Sequence, residues 1–520
     1  MNSLGLEGPD NECSSFDLPR TTVIVVRGMG TRLPGSARYP TRKAVMTDTM
    51  ATVPTPVTWP AHDPATWRNV PASSAPIDRA RVATLLAAEW ERFAAQTPGS
   101  AAHHARALGP LPLGVPSSFQ HWDPYPIAIT SAKGAWLTDV DGRKVLDLSM
   151  GFGAMLAGHL NPAVIAAVSR ALETGTLFVT PSPSATDAAE RFQRRFSLDQ
   201  LRFTNSGTEA TMYALRTARA FTGRKAIIKI EGGYHGGYDA LQVSVKPDVA
   251  DAGPEDAPIP VTPFEVEAGT VHVVPYNDLA RLEQLLDQHG TGVACVFMEP
   301  VLENIGIVVP DAGYLAGVRA LCDAHGSLLV FDEVKTGLTA GPAGASQRLA
   351  VTPDLVSLAK SIGGGLPLAA FGGRAEVMAC LVDGRMPHFG TYNGNPLVVA
   401  AAVAIDEVAT PEALSAAEAL NVSALTAMDA IIATYALPAH TVGFGVKGAV
   451  TWSATPVRTY RDYKRTDFGA AELSWLWGVN RGILTPPGLD EQWLVSLAHT
   501  ADDMSLLIED FRELAAVLRS

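Results

Sequence analysis

A chain of 520 residues with 47% hydrophobic and 18% charged residues is long enough for two or three domains around a large core and has the make-up of an ordinary globular enzyme. Its formal net charge of −13 argues against nucleic acid as a partner, because a phosphate-binding surface needs a basic excess. Cys13, Cys295, Cys322 and Cys380 form no Cys-x-x-Cys and no cluster with metal-ligand spacing, no apolar run reaches the length of a membrane span, and Met1–Asp10 lacks the marks of a secretory signal. The expectation is a reduced, cytoplasmic protein with no metal and no membrane partner.

Residues 1–75 are rich in Pro, Thr, Arg and Gly, hold one brief apolar run, Val23–Val26, and sustain no period, so they read as a disordered extension. Met46 and Met50 offer later starts. From Pro76, the residues Ile77, Val82, Leu85, Leu86, Trp90 and Phe93 recur at helical spacing. Residues 134–148 read as two strands around the Asp141-Gly142 turn, and a helix follows from Pro162 to about Glu173. From Leu201 to about Ala404, apolar β-rich runs at 226–230, 293–298, 328–331, 355–358 and 368–371 alternate with amphipathic helices. Two of those helices, 208–222 and 314–325, are each closed by a glycine. Strands that are apolar throughout suit a mostly parallel sheet covered on both faces. Past Pro411 come a helix rich in Ala and Leu, a strand at Ala449–Trp452 and a last helix, Asp502–Leu518. The predicted fold is α/β: a large domain over 166–410 and a smaller α+β domain built from both flanks, 76–165 and 411–520.

The run 355–358 leads into Lys360, and Gly363-Gly364-Gly365 follow. A lysine at the end of a buried strand is costly unless it is paired or covalently used, and glycines let the backbone approach something bulky. Lys360 therefore reads as the amine that holds an aldehyde cofactor. Asp332 ends another apolar strand, where ligands bind in α/β sheets, and suits a protonated ring nitrogen, although strand-end aspartates also cap helices. Thr204–Glu209 opens a helix, so free N–H groups with Ser206, Gly207 and Thr208 make an anion site; the competing reading is a plain cap with Glu209 in a capping box. Tyr234, held among the glycines of Gly232–Gly237 with His235 beside it, is placed to stack on a flat ring; the competing reading is a mobile glycine loop with an exposed tyrosine and a structural histidine. Thr391, in the turn-rich Gly390–Pro396, offers a donor to a phosphate, although taken alone the stretch reads first as an ordinary loop. Gly443–Gly448 matches G-x-G-x-x-G but leads into a strand rather than a helix, which removes the dinucleotide reading. A phosphate anchor, a stacking ring, a counter-ion and an amine together describe pyridoxal 5'-phosphate.

Asn205–Ala210, Gly233–Gly236, Phe331–Val334, Leu358–Pro367 and Gly390–Pro396 resemble, in order, the motifs of the class III, fold-type I pyridoxal-phosphate aminotransferases. The branch they resemble contains glutamate-1-semialdehyde 2,1-aminomutase and β-amino-acid aminotransferases, and Gly482–Gly488 with Ala498–Asp503 is similar to it too. The resemblance implies that Lys360 is the Schiff-base lysine and the acid/base of the amino transfer, that Asp332 pairs with the pyridine nitrogen, and that Tyr234 and Val334 sandwich the ring with His235 in the cofactor set. It implies that Ser206, Gly207 and Thr208 bind the phosphate, and that Thr391 reaches the phosphate of a neighbouring subunit in a homodimer. The substrates would be a small amine or amino acid donor and a keto or aldehyde acceptor. Aminomutase, racemase, epimerase, decarboxylase and non-catalytic readings remain on the same scaffold. The substrate side departs from the branch: Gly114–Pro126 has no Arg or Lys, Leu338-Thr339 stands where an aromatic and an arginine are usual, and Lys335 is unusual. Gln120, His121 and Trp122 there suggest a larger or less anionic substrate.

Overall fold

The computed structural model describes residues 68–71, 73–486 and 492–520, all within the compact unit Val57–Ser520. The readings of Val23–Val26, Met46 and Met50 lie outside the described residues, as does the end of the Gly482–Gly488 motif.

The apolar runs assemble into one seven-stranded sheet. In spatial order it comprises Gln200–Thr204, Ala369–Gly373, Leu355–Leu358, Leu328–Glu333, Val293–Met298, Ala226–Ile230 and Val271–Val274. All are parallel except Ala369–Gly373, which is antiparallel to both its neighbours. Successive side chains of a strand point to opposite faces, and the core divides accordingly. Ile228, Val296, Leu329 and Phe331 pack with Leu282 and Val318 of the helices Leu279–His289 and Tyr314–His325. Ile227, Cys295, Phe297 and Val330 pack with Ala214, Leu215 and Ala218 of the helix Gly207–Thr222. Both faces are therefore covered, which is why these strands read as continuously apolar. Gly223 and Gly326 end their helices in the left-handed region, with φ of +68° and +61°.

The two ends of the chain meet in two smaller sheets. Ile129–Lys133, Trp136–Asp139 and Lys144–Asp147 form an antiparallel meander, and Ile483–Leu484 adds in parallel beside Lys144–Asp147. Arg68–Asn69, His440–Phe444, Lys447–Thr451 and Gln492–Leu494 form an antiparallel sheet. The expected extension to residue 75 is corrected at its end: Arg68–Asn69 is an edge strand, and Arg68 Nη2 donates to Asp311 Oδ1 at 3.2 Å. The first long helix is Arg79–Gln96, later than Pro76, because Asp78 caps it by accepting the Ala80 N–H at 2.8 Å. The glycine motif at 443–448 lies in the hairpin of the third sheet, with Gly445 at φ +60°.

One helix among the described residues, Pro411–Thr434, is long and apolar enough to cross a membrane, against the expectation from the sequence. It carries Glu412, Glu418 and Asp429, and its Leu414, Met428, Ile431 and Ile432 are buried in the core beside the helix Ala501–Arg519.

Candidate active site

Five parallel strands deliver their carboxyl ends to one cavity of about 280 Å³, the position at which α/β sheets bind ligands. Gln200–Thr204 leads to Asn205–Thr208, Ala226–Ile230 to Tyr234 and His235, Val293–Met298 to Glu299, Leu328–Glu333 carries Asp332, and Leu355–Leu358 leads to Lys360. Ser206, Gly207, Thr208, Val334 and Ala359 also line this space.

Lys360 opens a short 3-10 turn, Lys360–Ile362, with φ at +49°, a region costly for any residue with a Cβ. Burial pushes its amine down to about 8; the Lys447 charge adds to this, while Asp332, Glu299 and Glu303 oppose it. The glycines after it bring the backbone close to bulky side chains, but outside the cavity lining. A Cβ on Gly365 would lie 2.6 Å from Met155 Sδ, and one on Gly364 would lie 3.1 Å from Ile405 Cγ1, so the close approach is to core side chains. Leu366, Pro367 and Leu368 form the wall instead.

Asp332 is 4% exposed and held from two sides: His235 Nδ1 lies 2.8 Å from Oδ2, and the Val334 N–H donates to Oδ1 at 2.9 Å. His235 Nε2 is buried without a hydrogen-bond partner, and the ring stands edge-on to Phe297 at 4.9 Å. Tyr234 is half-buried, and burial, then the Asp332 charge, push its hydroxyl pKa up. Its N–H donates to Glu299 Oε1 at 3.3 Å, while Glu299 Oε2 accepts the Glu303 N–H at 3.0 Å. Burial raises the Glu299 pKa, with the neighbouring Asp332 charge adding to it. Glu299 escaped the sequence reading although it follows an apolar strand, as Asp332 does.

At the other end of the cavity, Ser206 caps the helix Gly207–Thr222 and its Oγ accepts the Glu209 N–H at 3.2 Å. Glu209 returns to the Asn205 N–H at 2.6 Å, one residue before the capping-box position. The cap leaves room for an anion, because Ser206 Oγ accepts while keeping its own proton and the helix's first backbone bond runs from Ala210 N–H to Ser206 O, so the earlier N–H groups stay open. Thr208 Oγ1 accepts the Gly237 N–H at 3.1 Å, and a Cβ on Gly236 would lie 2.5 Å from that oxygen. Thr391 is exposed and outside the cavity lining.

On the open side, Phe119 is the residue of the Ser117–Trp122 stretch that reaches the cavity, edge-on to Tyr234 at 5.6 Å and tilted on Phe152 at 5.9 Å. His121 and Trp122 turn away: Trp122 packs on Trp475 at 4.7 Å and on Phe93 at 5.2 Å. Behind the cavity, Glu303 and Lys447 form a fully buried ion pair at 2.5 Å, and Lys335, which also lines the cavity, donates from Nζ to Glu303 O.

Comparison with known proteins decides the family. The family model "Aminotransferase class-III" matches residues 118–456. This chain belongs to the class III aminotransferases. It is 38% identical over 416 residues to the glutamate-1-semialdehyde 2,1-aminomutase of Symbiobacterium thermophilum, covering 78% of this chain and 94% of that one. Among solved structures, a glutamate-1-semialdehyde aminomutase from Pseudomonas aeruginosa PAO1 superposes with a TM-score of 0.78 at 30% identity, over 85% of this chain and 99% of that one. A β-phenylalanine aminotransferase from Variovorax paradoxus follows with a TM-score of 0.76 at 30% identity, over 84% and 97%. An omega-transaminase from Sphaerobacter thermophilus gives 0.75 at 31% identity, over 81% and 98%. This class III aminotransferase has the fold-type I architecture and is a pyridoxal-phosphate enzyme. Its own residues fit that cofactor: an amine with a depressed pKa, a buried carboxylate, an aromatic ring and a helix N-terminus converge on one cavity.

Proposed function

We propose that this class III aminotransferase moves an amino group between two separate substrates, an amine or amino acid donor and a keto or aldehyde acceptor. The convergence of Lys360, Asp332, Tyr234 and the Ser206–Thr208 helix start on one cavity carries this reading. In it, Lys360 would hold the cofactor and act as acid/base, taking the proton from the amine-bearing carbon of the donor and delivering one to the corresponding carbon of the acceptor in the second half of the reaction. Asp332 would pair with the ring nitrogen, with His235 fixing the carboxylate; Tyr234 and Val334 would sandwich the ring; Ser206, Gly207 and Thr208 would hold the phosphate. Bound, the cofactor supplies an electron sink for that carbon.

A second reading, intramolecular transfer by an aminomutase, is favoured by the 38% identity to a protein of that name. Against it stand the cation-free stretch Gly114–Pro126 and Phe119 at the open side of the cavity. A screen of amine donors against keto acceptors separates them: turnover that requires an acceptor supports transfer between substrates, and turnover of one substrate alone supports the mutase. Holoprotein whose cofactor absorbance is unchanged in Lys360→Ala would remove both.

The same reading makes the working unit a homodimer. Its support is the surface stretch around exposed Thr391, where Phe389 is 80% exposed and Tyr392 62%. Light scattering on the purified protein tests this, and Thr391→Ala is expected to weaken cofactor binding without breaking the dimer. Free, buried Cys295, Cys322 and Cys380 support a reducing cytoplasmic setting. The division into 166–410 and a small domain from both flanks is supported by the pairing of Ile483–Leu484 with Lys144–Asp147.

A further inference from the structure

The strand Ala226–Ile230 lies between two others, with Lys229 in register with Val273 and Phe297, and the Lys229 side chain is fully buried. A lysine ammonium carries three N–H donors and is expensive to bury without an acceptor for each. Lys229 has three acceptors: Nζ donates to Gly233 O at 2.9 Å, to Leu241 O at 3.3 Å and to Val243 O. Burial drives the amine down to about 7, with Glu299 opposing. The three convergent carbonyls favour the ammonium, since a neutral amine offers only two hydrogens.

Those carbonyls are the two ends of one excursion of the chain, and between them lie Tyr234 and His235. The excursion is fastened elsewhere too. Thr211 Oγ1 donates to His235 O at 2.6 Å, and the Gln242 side-chain amide donates to Gly236 O. The strand end is anchored by Glu231, which accepts from Arg461 Nη2 at 2.8 Å. Lys229 itself does not line the cavity.

We propose that Lys229 is a positioning residue for the cofactor: its ammonium gathers the carbonyls of Gly233, Leu241 and Val243 and so fixes the loop that carries Tyr234 and His235. It acts through those two residues and not on the reacting atoms. The inference rests on the pyridoxal-phosphate seat, not on the choice between transfer and mutase.

Three variants of the full chain test it. Lys229→Met keeps the apolar stem and deletes the donors. Lys229→Gln keeps two amide hydrogens. Met428→Ala, in the core of the helix Pro411–Thr434, is a destabilised control outside the cavity lining. The readouts are the dissociation constant for pyridoxal phosphate and the visible circular dichroism of the bound cofactor, which reports how its ring is held. Lys229→Met is expected to weaken cofactor binding about tenfold or more and to diminish the dichroism, with partial recovery in Lys229→Gln. Met428→Ala should leave both unchanged at a comparable loss in Tm. Binding and dichroism in Lys229→Met equal to wild type, or an equal loss in Met428→Ala, would overturn the proposal. If Lys229→Met does not fold, Lys229→Gln decides on the same readouts; if neither folds while Met428→Ala does, Lys229 is a core requirement and the positioning role falls. Wild-type protein that binds no pyridoxal phosphate would sink the cofactor seat itself, an outcome distinct from these.

Discussion

His235 Nδ1 and Asp332 Oδ2 lie 2.8 Å apart, with the two residues 1% and 4% exposed. With the Val334 N–H on the other oxygen, this contact fixes the Asp332 carboxylate from a loop that follows a different strand. His235→Phe keeps a flat aromatic ring, slightly larger, and removes the donor. A buried hydrogen bond to a charged group contributes about 1.5–3 kcal/mol, so the cofactor dissociation constant is expected to rise roughly tenfold and Tm to fall. Spectroscopic titration with pyridoxal phosphate reads the first. An unchanged constant would reduce His235 to a ring packed against Phe297.

Lys360 has a pKa of about 8 in the folded protein against 10.5 ordinarily, burial being the main cause and Lys447 the next. Between these two values the unfolded chain holds a proton that the folded chain lacks, so stability rises with pH across that window, and the penalty is complete below about 8. Lys360→Met in the apoprotein is therefore expected to be more stable than wild type at pH 7, by up to about 3 kcal/mol less the screening from water in the cavity. Urea unfolding at pH 7 and near pH 10 checks both the gain and its decline. The chemistry follows the same sign, because only the neutral amine attacks an aldehyde. The rate at which apoprotein gains cofactor absorbance should climb with pH to a midpoint near 8, and a midpoint above 10 would contradict the assignment.

Asp332 and Lys360 were legible in the sequence because each is a charge placed where an apolar run ends, which is costly without a use. Lys229 and Glu299 carry the same signal and were passed over. Lys229 sits inside its run rather than after it, and Glu299 precedes a proline that reads as a turn. The strand Gln200–Thr204 was hidden because it is a sheet edge with alternating exposed residues, and Val271–Val274 because it is the opposite edge and His272 interrupts its short apolar run. The substrate side was least legible. Which of Phe119, His121 and Trp122 faces the cavity depends on the distant partners Phe152 and Trp475, and no local period records that. Arg68–Asn69 shows the same limit, since a two-residue strand exists only through its pairing with His440–Phe444.

Glu303 and Lys447 are 0% and 2% exposed and join the third sheet to the turn that follows Val293–Met298. Removing one member leaves an uncompensated buried charge. Lys447→Met is expected to lose about 3–5 kcal/mol of stability in chemical denaturation, and Glu303→Gln a similar amount. The double variant Glu303→Gln/Lys447→Met should recover most of that loss. Strictly additive losses in the double variant would mean that the two side chains do not stabilise each other, whatever their separation.

Phe119 carries the prediction about substrate. It is 55% exposed, yet its ring lies edge-on to Tyr234 and is tilted on Phe152, so it lines the cavity beside Tyr234 with an apolar edge. Neither the loop that bears it nor the Leu338-Thr339 pair contributes a cation there. A substrate group in contact with Phe119 gains from apolar burial, whereas a carboxylate placed against it would lose hydration for nothing in return. Phe119→Ala should therefore raise KM about tenfold for donors with large apolar side groups and change kcat little, because the contact forms equally before and during proton transfer. Phe119→Arg should shift preference towards donors with a second carboxylate, by supplying the planar bidentate donor that this loop lacks. Steady-state kinetics on a matched pair of donors, one apolar and one dicarboxylic, reads both variants. A wild-type preference for the dicarboxylic donor that persists in Phe119→Ala would place substrate selection elsewhere in the cavity, whose lining also includes Lys335.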